Sequence, residues 1–90
     1  MKSKITREFR AFLRGLPVEA RRQAYAAYRL FKRNPYHPSL FFKRVGDDPP
    51  VYSARVGIHY RALGVRRDDA TIVWFWIGTH ADYDKILSRL

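Results

Sequence analysis

The chain changes its hydrophobic period once, at Asn34-Pro35-Tyr36-His37-Pro38, and that change limits what each side of it can fold into. Two prolines in four residues cannot continue a helix, because each lacks an amide hydrogen and its ring clashes with the turn before it. Upstream, Ile5, Phe9, Phe12, Leu13 and Leu16 recur at helical spacing, with Arg7, Glu8, Arg10 and Arg14 on the opposite side. Gly15-Leu16-Pro17 breaks this helix and starts a second, since proline suits a first turn. The second helix runs from about Pro17 to Arg33. Ala20, Ala24, Ala27, Tyr28 and Phe31 form its apolar stripe; Arg21, Arg22, Arg29, Lys32 and Arg33 form a basic face. The opening reads as a helical hairpin.

Downstream the period becomes that of strands. Leu40 to Val45, Val51 to Val56, His59 to Arg66 and Thr71 to Ile77 read as four strands. Gly46 to Pro50, Gly57-Ile58 and Arg67 to Ala70 serve as their turns. Thr71 to Ile77 is apolar on both sides and belongs inside the sheet. Tyr83, Ile86, Leu87 and Leu90 fall at i, i+3, i+4 and i+7, a short amphipathic helix. Thr79-His80-Ala81-Asp82 looks like its capping box, with Asp in place of Glu or Gln. The expected architecture is α+β: an N-terminal helical hairpin packed on a four-stranded antiparallel sheet, then a short C-terminal helix. With 90 residues there is room for one core, so residues 1–90 read as a single domain.

Charge narrows the partners. Eighteen Lys and Arg against 8 Asp and Glu give a formal charge of +10, enough to draw in RNA, DNA or an acidic protein. The absence of cysteine excludes disulfides, thiolate metal sites and cysteine nucleophiles. The longest apolar stretch, Ile72 to Ile77, is too short to span a bilayer, and the start of the chain is charged. A cytoplasmic protein without membrane contact is expected.

Two residues suit work on a phosphate. Arg61, within a strand beside apolar neighbours, would present a rigid forked donor to phosphate oxygens. The bland alternative is a structural ion pair, in a chain poor in acids. His80, at the start of the last helix, is a usable general acid or base near pH 7. Tyr83, one turn on, either packs in the core or joins the site, because it also begins the apolar stripe. Arg55 is either a buried strut or a phosphate ligand. Lys43 and Arg44 are adjacent on one strand, so alternation puts only one of them in a basic groove. His59 flanks a turn and reads as a surface residue. Asp pairs in turns, and histidines at 37, 59 and 80, match neither a two-metal nuclease nor a metal-ligand spacing. A metal-free, cofactor-free reaction is expected. RNA fits this case because it carries its own nucleophile, the 2′-hydroxyl; the protein need only position the strand, move two protons and stabilise added charge.

In combination these residues resemble the RelE/ParE superfamily of toxins from type II toxin–antitoxin systems. The resemblance runs through the hairpin ending at Asn34-Pro35, Leu40-Phe41-Phe42-Lys43, and Tyr52-Ser53-Ala54-Arg55-Val56-Gly57. It continues through Tyr60-Arg61-Ala62-Leu63, then Trp76-Ile77-Gly78-Thr79-His80 and Tyr83. It implies a compact toxin neutralised by a cognate antitoxin. RelE-like members are metal-independent endoribonucleases (mRNA interferases) that cleave mRNA, usually on the ribosome. It also implies roles: Arg61 on the scissile phosphate, His80 as the catalytic group, Tyr83 beside it, and Lys43, Arg44 and Arg55 as electrostatic support. Two alternatives share the fold: a non-enzymatic ParE-like inhibitor of DNA gyrase, and a non-catalytic RNA- or antitoxin-binding module. Family members usually begin with a strand, and only Met1 to Lys4 precede the first helix here, so that edge strand is expected to be missing or very short.

Overall fold

A computed structural model describes residues 1–89. Its elements are β1 (Lys2–Ile5), α1 (Arg7–Arg14), α2 (Val18–Arg33), a 3-10 turn (Pro38–Leu40), β2 (Lys43–Asp47), β3 (Pro50–Val56), β4 (Tyr60–Asp68), β5 (Thr71–Thr79) and α3 (His80–Leu87). One sheet of five strands has the order β1-β5-β4-β3-β2. β1 runs parallel to β5, and every other pairing is antiparallel.

The expected four-stranded antiparallel sheet is therefore corrected by one short parallel edge strand. Lys2-Ser3-Lys4-Ile5 has too little apolar pattern to announce itself. Its partner holds it: the Lys2 and Thr6 amides donate to the Ala70 and Trp74 carbonyls, and the Trp74 indole N–H donates to Ser3 Oγ at 2.8 Å. Ile5 consequently belongs to this strand. α1 begins after Thr6, whose Oγ1 accepts from the Phe9 amide at 3.0 Å and so satisfies one orphan donor of the first turn. The third segment also shifts. Leu40, expected in a strand, is buried at the end of the 3-10 turn, and β2 extends instead to Asp47.

The sheet has two covered faces. On one, α1 lies along β5 and α2 over β3. Phe9, Ala24, Phe31 and Leu40 meet Ala54, Val56, Ala62, Ile72, Trp74 and Ile77 there. Phe31 anchors this core, edge-on to both Phe42 (5.2 Å) and Trp74 (5.4 Å). Such pairs contribute about 0.5–1.5 kcal/mol each beyond area burial. On the other face Tyr83, Ile86 and Leu87 of α3 pack on Val51, Leu63 and Val65. Leu90, expected to complete that stripe, lies outside the described residues. A bulge explains how β5 serves both faces. Leu63 pairs with Trp76 and Gly64 with Trp74, so Phe75 is an extra residue and both Phe75 and Trp76 join the α3 face. No helix among the described residues is long and apolar enough to cross a membrane.

Candidate functional site

The uncovered end of the α3 face collects most of the residues singled out above. Register fixes their side: Arg55 pairs with Arg61, and Arg61 with Gly78, so the three lie in one row across β3, β4 and β5. Lys43 pairs with Ser53, whose neighbour Leu63 lies under Tyr83, and so shares this face. Arg44 pairs with Tyr52 and points to the α2 side. There its guanidinium turns back on the Asp47 carboxylate at 3.3 Å. Of the two adjacent cations, the strand pleat puts Lys43 with Arg55 and Arg61 and leaves Arg44 apart.

The turn joining β3 to β4 ties the row to α3. Arg55 Nε donates to the Gly57 carbonyl at 3.3 Å, and Arg61 Nη1 donates to the carbonyls of Ile58 (3.2 Å) and Tyr60 (2.8 Å). The His80 amide donates to the His59 carbonyl at 2.8 Å. Three site residues thus grip one turn, which Gly57 makes possible by its φ of +61°, a conformation open to glycine at little cost. His59 contributes only its backbone.

α3 starts where Thr79 caps it, its hydroxyl accepting from the Asp82 amide at 3.2 Å. This places His80 in the first turn, half-exposed, with Tyr83 one turn on. Tyr83 is 6 % exposed and packs on Leu63 and Val51, while its ring centroid lies 5.9 Å from that of His80. Of the two expectations for Tyr83, core packing holds, and the ring also borders the imidazole.

Arg61 records how close these groups are. Burial, and then repulsion by Arg55, lower its pKa, while Tyr83 and Asp84 act in the opposite direction. The guanidinium still stays charged at any physiological pH. Among the described residues no carboxylate lies within 4.0 Å of Arg55 or Arg61, so the structural ion pair considered for Arg61 does not form. Two guanidiniums held in register and without carboxylate partners make this stretch of the surface electropositive.

Asp84 is the one member that sequence reasoning missed. Its Oδ2 lies 3.2 Å from His80 Nδ1. A carboxylate at that distance favours the tautomer that carries its hydrogen on Nδ1. The available signal was the spacing, since positions 80 and 84 are i and i+4 on a helix. No cluster of three or more His, Asp or Glu side chains able to hold a metal forms among the described residues.

A five-stranded sheet with two helices packed on one face and a short C-terminal helix on the other has the architecture of the RelE/ParE toxin fold. The model of the ParE-like toxin domain matches residues 19–85, and the chain belongs to that family. Solved structures agree on the fold. The chain is similar to one from the RelB–RelE antitoxin–toxin complex of Methanococcus jannaschii, at 15% identity and a TM-score of 0.71, covering 92% of this chain and 96% of that one. A chain of the archaeal RelE–RelB complex from Pyrococcus horikoshii is 22% identical, with a TM-score of 0.63 and coverage of 87% and 92%. A mutant toxin from Helicobacter pylori follows at 16% identity and a TM-score of 0.58, with coverage of 91% and 97%. No curated protein matches the chain.

Proposed function

We infer that this toxin is a metal-independent endoribonuclease that binds and cuts mRNA in the cytoplasm and is silenced by a cognate antitoxin. The observation that carries this reading is that Arg61, which no carboxylate pairs within 4.0 Å among the described residues, lies in electrostatic reach of Asp84 and Tyr83, and both of these border the His80 imidazole. Arg61, with Arg55 and Lys43 behind it, binds the scissile phosphate and offsets charge on the phosphorane. The RNA 2′-hydroxyl attacks that phosphorus and the 5′-oxygen leaves, giving a 2′,3′-cyclic phosphate and a 5′-hydroxyl. The 2′-hydroxyl gives up a proton and the leaving 5′-oxygen takes one up; His80 Nε2 carries out one of these transfers and water the other. Tyr83 orients the imidazole or a base. The antitoxin partner is supported by the toxin family and by similarity to chains crystallised with RelB.

The match to a ParE-like domain favours a second reading, a non-enzymatic inhibitor of DNA gyrase. Induced expression followed by primer extension on bulk mRNA separates the two. Discrete new 5′ ends, absent with His80→Ala, support the ribonuclease. Growth arrest with intact mRNA and a DNA-damage response supports the gyrase reading. RNA binding with a steep salt dependence but no toxicity leaves only a binding module.

A further inference from the structure

Beside the arginine row, Phe41 stands in an unusual position. It is 58 % exposed, and it is the only non-glycine residue among those described with a positive φ, +46°. A left-handed backbone is disfavoured for an ordinary residue; here it closes the 3-10 turn, the Phe41 amide donating to the Pro38 carbonyl, and leaves the ring largely on the surface. The Arg55 guanidinium lies over its ring, 5.1 Å from the centroid. Arg55 is also the register partner of Arg61, so the Phe41–Arg55 platform continues directly from the phosphate-binding row.

Next to the platform opens a groove of about 610 Å³ between α2, the 3-10 turn and the β3–β4 turn. Leu30 and Ile58 supply apolar walls, Ile58 being 68 % exposed, while Gln23 and Ser39 add polar groups. No acidic residue lines it, and Arg55 is its one charged group. An aromatic platform and apolar walls suit a base, and Arg55 links them to Arg61 on the neighbouring strand, which suits the adjoining phosphate.

We propose that the groove holds an unpaired RNA base, stacked on Phe41 and Arg55, next to the phosphate bound by Arg61. It is a substrate subsite, and it rests on the ribonuclease reading above. Single-stranded RNA is the occupant favoured by charge, because its base and phosphate together satisfy both the exposed ring and the unpaired cations. Stacking on an aromatic tolerates any base, so this subsite sets strand placement more than sequence.

The test uses the full chain carrying His80→Ala, which cannot cleave, titrated with a short single-stranded oligoribonucleotide containing a fluorescent purine analogue. Binding is expected to quench the analogue at one position of the strand. Adding Phe41→Leu should weaken binding about tenfold, within the range of one aromatic stack, and abolish the quench. Phe41→Tyr should restore both. Unchanged affinity and quench in the Phe41→Leu protein overturn the subsite while leaving the ribonuclease reading intact. Failure of the His80→Ala protein to bind RNA at all overturns both. Phe41→Leu weakening the cognate antitoxin and sparing RNA assigns the groove to a protein and overturns the subsite.

Discussion

Arg55 and Arg61 face each other across neighbouring strands, and among the described residues no carboxylate comes within 4.0 Å of either. Like charges directly opposite on a sheet oppose folding, and on the proposed function an anion bound between them would relieve that repulsion. Arg61→Leu relieves this repulsion but also removes two hydrogen bonds to the Ile58 and Tyr60 carbonyls, so the two effects offset and it is expected to melt close to the parent chain or slightly lower. Phosphate or sulfate should raise the melting temperature of the parent chain by mass action and lose most of that effect in Arg61→Leu. Differential scanning fluorimetry across an anion series reads both.

The His80–Asp84 pair gives a graded expectation. Loss of a positioned acid or base removes on the order of 10²- to 10⁴-fold in rate, and His80→Ala should fall in that range. Asp84→Asn keeps the size but no longer fixes the proton on Nδ1. With the pair half-exposed and the imidazole retained, its effect should fall below that range, on the order of tenfold. Nitrogen NMR of the ring should show the Nδ1–H tautomer in the parent chain and a mixture in Asp84→Asn.

Gly78 is Arg61's partner on β5, and the Trp76 indole covers its Cα: a Cβ there would lie 2.5 Å from Trp76 Cζ2. Gly78→Ala must displace that ring. Overpacking of this kind costs typically about 1–3 kcal/mol, and urea denaturation should show it as a lower midpoint at unchanged slope. A midpoint equal to the parent's contradicts the packing described.

The edge strand supplies a stability test remote from the site. Trp74→Phe keeps the core aromatic and removes the indole donor to Ser3, worth about 0.5–1.5 kcal/mol net. Hydrogen exchange should rise at β1 amides while β3 and β4 stay protected.

How much of this was legible in the residues follows from which forces act locally. The Asn34–Pro38 break, the Thr79 cap and the apolar β5 segment are local signals, and the elements they mark are where the sequence puts them. β1 was not legible because its stability comes from β5, more than sixty residues away in the chain. β2 was misplaced by three residues at its start because Leu40 is apolar in a 3-10 turn as it would be in a strand. Within the site, residue types pointed to Arg61, His80 and Tyr83. Which of Lys43 and Arg44 joins them depended on the pleat, hence on register. Asp84 was hidden because aspartate near a helix start is ordinary; only the Nδ1 contact distinguishes it.

The central claim is that Arg61 and His80 act as one ribonuclease site. Its most direct measurement is analysis of RNA ends after purified toxin is mixed with ribosomes carrying a defined mRNA, for the parent chain, Arg61→Ala and His80→Ala. A cut bearing a 2′,3′-cyclic phosphate and a 5′-hydroxyl, lost in both variants, is the expected result. Undamaged mRNA with the parent toxin, or equal cutting by all three proteins, contradicts it.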